Sequence, residues 1–183
     1  AILILCVLYT SFTVKEWNPK EYAEYNELKT ETKEQKANWI DLLKNAPSMF
    51  WKVGLVQFFC WAAFLYMWTY TNGTIAETVW HTTDVSSAAY QEAGNWVGVL
   101  FFCQALGSVV WAMVLPRFKN EKSAYGISLI IGAAGFCMLP LISDKMMLIL
   151  PFVLIGCAWA AMLAMPFAFV TNALEGYGHK GAY

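Results

Sequence analysis

Residues 51–73 read WKVGLVQFFCWAAFLYMWTYTNG, and from Val53 to Thr71 they carry no charge. A run of about 20 apolar residues, rising about 1.5 Å each as a helix, crosses the hydrocarbon core of a bilayer. Within it Gln57, Trp61, Phe64, Trp68 and Asn72 follow one another at intervals of 4, 3, 4 and 4 residues. That spacing lines one face of a helix. The stretch is expected to be a membrane helix with one decorated face that looks at something other than lipid.

The composition agrees. Of 183 residues, 58% are hydrophobic and 14% charged, against about 45–50% and about 25% in a soluble domain. Most charges fall between Lys15 and Lys52. Such segregation marks an all-α membrane protein, not a soluble domain with a large core. A net charge of −1 hides this segregation and by itself says nothing about nucleic acid; for a chain of the membrane class no nucleic-acid partner is expected. Cys6, Cys60, Cys103, Cys137 and Cys157 all lie in apolar runs without metal-ligand spacing. They read as small buried hydrophobes, so no metal or cofactor is expected.

The pattern predicts the end of a truncated membrane helix at 1–14, too short to span and without a signal-peptide leader. The chain is accordingly expected to be a piece of a longer protein. Residues 15–50 form a charged linker that ends in a short amphipathic helix over Asn38–Ser48, with Asn38 as N-cap and Trp39 on its apolar face. Membrane helices follow at 51–73, 96–116, 124–143 and 146–174. They are joined by an outer loop at 74–95, a basic turn at 117–123 and a tight turn at Asp144-Lys145, and followed by a Gly-rich exit at 175–183. Small residues at Gly156, Ala160, Ala164 and Ala168, and at Ser128 and Gly132, predict close helix contacts.

Orientation follows from the basic residues. With alternating spans, Lys15, Lys20, Lys29, Lys33, Lys36, Lys44, Lys52, Arg117, Lys119, Lys122 and Lys180 share one side, and of the twelve Lys and Arg only Lys145 falls on the other. The positive-inside rule makes the first side cytoplasmic. Trp51 and Trp96, at span ends, read as interface anchors, and Trp111 as packing.

No span holds Asp, Glu, Lys, Arg or His in its interior. Such charges usually mark proton relays and ion sites, so no coupling-ion site is expected here. What remains is neutral: amides at Gln57 and Asn72, flat faces at Trp61, Trp68 and Trp159, and a helix break at Pro166. A neutral, hydroxyl-rich ligand needs groups of that kind. Gln104, at mid-span, needs a hydrogen-bond partner. His81 and His179 are isolated. The sequon Asn72-Gly73-Thr74 lies too close to the membrane for easy modification. No phosphate loop, nucleophile elbow or HExxH occurs, and the chain does not read as an enzyme.

Two pieces, Val56–Trp68 (VQFFCWAAFLYMW) and Gly156–Gly176 (GCAWAAMLAMPFAFVTNALEG), with the turn LPRFKNEKSAYG between them, give the chain a resemblance. It resembles the C-terminal half of a major facilitator superfamily transporter. More narrowly it is similar to the branch of sucrose–proton and glycoside–pentoside–hexuronide symporters. The resemblance implies the tail of helix six through helix ten of a twelve-helix bundle. A six-helix N-terminal half would supply the rest of the cavity. The seventh and tenth helices, here Val53–Asn72 and Met146–Val170, would line it. The resemblance implies a sugar substrate and assigns Gln57, Trp61 and Trp159 to its cavity; with Phe64, Trp68 and Asn72 from the decorated face and Pro166 from the helix break, these are the expected substrate-binding residues. It also implies a coupling proton or sodium handled mainly by the absent half, and a place in the inner (plasma) membrane. The chain departs from that pattern at Thr71-Asn72-Gly73, where plant sucrose carriers have acidic residues. It departs again at Arg117–Tyr125, where the superfamily's Gly- and Arg-rich motif is degenerate. A non-transporting sensor or scaffold of the same fold, and an exporter of hydrophobic compounds, are the alternatives.

Overall fold

The computed structural model describes residues 2–14 and 39–173. The expected linker over 15–38 with its Asn38 cap, and the exit at 175–183 with His179, lie outside the described residues. The chain divides into two units, Ala1–Asp41 and Leu42–Tyr183. The first contains α1 (Ile2–Thr13). The hydroxyls of Thr10, Ser11 and Thr13 each donate to the carbonyl four residues back, which hides polar groups on an apolar helix. A six-residue helix, α2 (Trp39–Lys44), straddles the division.

The second unit holds four helices long and apolar enough to cross a membrane. They are α3 (Ser48–Trp80), α4 (Ala88–Val114), α5 (Glu121–Met138) and α6 (Ile149–Ala173). No strand occurs among the described residues. The fold is an all-helical bundle, as the composition predicts.

The helix ends differ from those read off the sequence. Asn72-Gly73 looks like a stop, yet α3 continues to Trp80. One interior Gly costs a helix only about 1 kcal/mol, and burial of Ala76 (0% exposed) and of Ile75 (5% exposed), which clusters with Val97 and Leu100 of α4 and Phe152 of α6, outweighs it. At 33 residues the helix is about 50 Å long, so it tilts or projects beyond the hydrocarbon. It ends at His81, which takes the left-handed conformation (φ 52°); the N–H groups of His81 and Thr82 both reach the Ala76 carbonyl. Helix α4 begins at Ala88, well before Trp96, because Ser87 caps it by accepting from the Tyr90 N–H. The loop expected over 74–95 therefore shrinks to 81–87. There the Asp84 carboxylate accepts from the Ser86 N–H and hydroxyl, which holds it below the usual carboxylate range. Asn120 caps α5 through the Lys122 and Ser123 N–H groups. Pro140, in a 3-10 turn over Leu139–Leu141, ends that helix early.

Helix α6 is the centre of the unit. More than half of its apolar stretch, 56%, is buried, against 6% for α3. A methyl group on Gly156 would collide with the Gln104 carbonyl of α4, and one on Gly132 with Ala158. One on Gly135 would sit 2.7 Å from the Pro151 carbonyl oxygen. Backbone-to-backbone approach of this kind is how helices associate where lipid removes the hydrophobic drive. Of the predicted small-residue file on α6, Gly156 is buried in a contact but Ala164 and Ala168 are exposed. The buried face instead passes through Ile155, Ala158, Ala161 and Met162, because α6 packs on two neighbours at once. Ser128 and Gly132 are buried as predicted. Side chains tie the same three helices: Ser108 donates to the Gly156 carbonyl at 2.8 Å and Trp111 to the Ser128 hydroxyl at 2.8 Å.

The two ends of the unit differ. Met49, Lys119, Lys122 and Asn172 line one cavity of about 580 Å³, so the start of α3, the α4–α5 turn and the end of α6 meet at one end. At the other, Trp96 donates its indole N–H to the Lys145 carbonyl at 2.9 Å. The Lys145 ammonium sits 5.9 Å from the ring centre of Trp80 and 5.7 Å from that of Trp96. Trp96, expected as a membrane anchor, thus also fastens the α5–α6 turn.

These contacts set an expectation for two glycines. Gly156→Ala should lower stability by about 1–3 kcal/mol through overpacking. Gly126→Ala, where a methyl meets nothing, should raise it by up to about 1 kcal/mol. Detergent-driven unfolding of the purified protein, followed by tryptophan fluorescence, compares the two; equal effects would contradict the packing.

Candidate functional site

Helices α3 and α6 run antiparallel, and their facing turns bring most of the sequence-predicted residues together. Trp159 on α6 is the hub. Its ring centre lies 4.9 Å from Phe64, 5.4 Å from Trp68 and 5.8 Å from Trp61. Trp61 and Trp68 also meet edge to face at 6.3 Å. The geometry follows from the 3–4 spacing: Trp61, Phe64 and Trp68 occupy successive turns of one stripe, and a single large ring on the facing helix touches all three. Such pairings contribute about 0.5–1.5 kcal/mol each beyond area burial.

Exposure separates their roles. Phe64 is 2% exposed, whereas Trp61 and Trp68 are 39% and 41% exposed. Phe64 backs the cluster from within, packed also on Phe136 of α5 at 5.8 Å. The two indoles offer free faces.

One turn toward the start of α3 lies a polar layer. Pro166 has no N–H, so the carbonyl of Met162, four residues earlier, lacks its helical donor. Gln57 Nε2 donates to that carbonyl from α3 at 3.2 Å. Gln57 Oε1 accepts from the Tyr125 hydroxyl of α5 at 3.3 Å, and Tyr125 rests edge-on against Phe169 of α6 at 5.6 Å. The amide's orientation is fixed chemically: a carbonyl only accepts, so the nitrogen must face Met162 and leave the oxygen to the phenol. Gln57 and Pro166, nominated separately, turn out to be partners.

Asn72 is placed elsewhere. Its amide packs on Gly94 of α4, where an added methyl would lie 3.5 Å from Oδ1, and that oxygen is buried without a hydrogen-bond partner. It serves the α3–α4 contact; no ring of the Trp159 cluster bonds to it among the described residues. Gln104 is 5% exposed, and the partner it was expected to need is lacking for Oε1. Among the described residues no three His, Cys, Asp or Glu gather closely enough to hold a metal ion. The cluster is neutral, aromatic and amide-bearing, which suits stacking and hydrogen bonding rather than bond cleavage.

Sequence reasoning missed Tyr125 and Phe136. Tyr125 stands near the start of a span, where it reads as an interfacial aromatic; the carbonyl freed by Pro166 was the signal that a donor network must exist nearby. A cavity was missed as well. About 500 Å³ in volume, it is bounded on a different face of α3 by Tyr66, Tyr70, Thr71, Thr74 and Thr78, and across from them by Phe136, Pro140 and Phe152. The Thr71 and Thr78 hydroxyls donate to their own helix at Met67 and Thr74, so the wall is more apolar than its residue names suggest.

A family model, that of the Major Facilitator Superfamily, matches residues 1–181. The chain belongs to the major facilitator superfamily. No curated protein and no solved structure matches it, so membership rests on that model together with the four membrane-length helices. As a superfamily member it is a multi-pass membrane protein of a transporter family, not of an enzyme family.

Replacing the hub tests the cluster. Trp159→Leu should weaken the exciton couplet of interacting indoles in circular dichroism to what the Trp61–Trp68 pair alone gives, while Trp51→Leu, outside the cluster, should leave it at full strength. A couplet undiminished by Trp159→Leu would mean the rings do not meet as described.

Proposed function

We propose that the chain is part of a secondary active sugar transporter that works by alternating access, coupled to protons or another cation. The observation that carries this reading is the pair of half-exposed indoles, Trp61 and Trp68, held by Trp159 beside the Gln57 amide with no charged group among them. Sugars present flat C–H faces to aromatic rings and hydroxyls to amides. Family membership supports transport as the general activity. In this reading α3 to α6 are helices seven to ten. A second six-helix half closes the cavity over Trp61 and Trp68 and supplies the coupling carboxylates, and the protein sits in the inner (plasma) membrane. Alternation of two halves about a midplane site is the mechanism that such repeats perform.

A second reading, export of hydrophobic compounds, is favoured by the largely apolar 500 Å³ cavity beside Tyr66 and Tyr70. Proteoliposomes holding the whole transporter, both six-helix halves, separate the two. Labelled sucrose, maltose, glucose or xylose should accumulate under an inward proton or sodium gradient if the first reading holds. Gradient-driven movement of a lipophilic dye, with none of any sugar, would replace it with the second. Movement of neither would favour a non-transporting sensor. For the sugar that accumulates, Trp61→Leu should raise the apparent KM about two- to tenfold, the equivalent of one lost ring contact. Trp51→Leu should leave it unchanged.

A further inference from the structure

The carbonyl freed by Pro166 is bonded by a side chain from another helix, at the upper end of the ordinary N–H···O range. Gln57 Nε2 to Met162 O is 3.2 Å and Tyr125 to Gln57 is 3.3 Å, against 2.8 Å for the side-chain ties within the α4–α5–α6 trio. Ordinary N–H···O bonds cluster near about 2.9–3.0 Å. Helix α3 is also the least buried of the four. The Gln57 link therefore joins the loosest helix to the tightest one, at the proline, one turn from the exposed indoles. Gln57 is itself half-exposed, so a ligand on Trp61 can reach it.

We infer that this link is exchanged during transport: a substrate hydroxyl inserts between Gln57 Nε2 and the Met162 carbonyl, and α3 is untied from α6 at the kink. The inference rests on the sugar reading above. A hydroxyl suits the position because it accepts from the amide and donates to the carbonyl at once. Neither group is then left unpaired at membrane depth, where an orphan carbonyl is strongly disfavoured. An ether or a carbonyl oxygen accepts only and would strand Met162. Insertion widens the nitrogen-to-oxygen separation from 3.2 Å to roughly 4.5 Å, the span of two hydrogen bonds meeting at one oxygen. Binding is thereby converted into a displacement of α3 relative to α6. Tyr125 is the positioning residue. The Met162 carbonyl selects the nitrogen end of the amide, and Tyr125, by donating to Oε1, anchors the other end; without it the amide is held at one end alone.

The test is a cycle between ligand and protein, run in the same proteoliposomes with glucose, or with sucrose if sucrose is the sugar taken up. Monodeoxy and monofluoro analogues remove one hydroxyl donor at a time. One position should raise KM about three- to tenfold in the unaltered protein, the worth of one hydrogen bond. Gln57→Met, similar in shape but unable to donate, should raise KM for the parent sugar by a similar factor, and the monodeoxy analogue should then lose less than it does in the unaltered protein, because only its bond to the Met162 carbonyl is left to remove. Tyr125→Phe should raise KM about two- to fivefold with kcat preserved, whereas a purely structural role would reduce the amount of folded protein and leave KM alone. An analogue penalty as large in Gln57→Met as in the unaltered protein would mean that the two groups act independently, and the inference would fall while the sugar reading stood. If the unaltered protein moves none of the sugars, the reading itself fails and takes the exchange with it.

Discussion

At Gly156 and Gly132 there is no room for a methyl group, because α6 lies against the backbone of α4 and the side chain of Ala158 fills the surface of α5. In lipid, helices gain little from burying apolar side chains against one another, since the tails are equally apolar. Dispersion between closely fitting backbones and a few hydrogen bonds must hold them. The close approach of α6 to both neighbours is that fit. It allows the Ser108 hydroxyl to reach the Gly156 carbonyl and sets Trp111 against Ser128. The result is a firm three-helix platform.

Helix α3 joins that platform on different terms. It contributes Phe64, Met67 and Ile75 to the core but leaves most of its surface open, and its polar ties are longer than those between the platform's helices. Trp159 is accordingly important twice over. Packed on the platform through α6, it gives α3 three aromatic contacts and so fixes where Trp61 and Trp68 stand. The amide layer below adds a weaker constraint between the same helices. Firm packing on one side of α6 and adjustable packing on the other is an arrangement suited to helices that must rock.

The stripe from Gln57 to Trp68 was legible because helical periodicity depends on local geometry alone. So was the all-helical class, from the charge-free runs. The ends of α3 and α4 were not. Asn72-Gly73 has the chemistry of a turn, and only the burial of Ala76, and of Ile75 against distant residues, overrides it. The same burial draws Asn72 toward Gly94 of α4 and out of the stripe it shares by spacing. The file of alanines on α6 failed for a related reason. A small residue permits a close contact but does not create one, and which face of α6 meets α4 and α5 is settled by three helices together.

Composition and the 3.6-residue repeat were enough for the count of membrane-length helices among the described residues, for the alternation that sets Lys145 apart from Lys119 and Lys122, and for the indole-bearing faces. Tertiary structure decided which polar groups are partners. Pro166 announces an unpaired carbonyl, but nothing in the order of residues says that Gln57, 105 positions away from Met162, will satisfy it, or that Tyr125 will bond the other end of the amide. Those pairings arise because antiparallel packing of α3 on α6 brings distant turns to the same depth, and a buried carbonyl takes the donor that packing supplies.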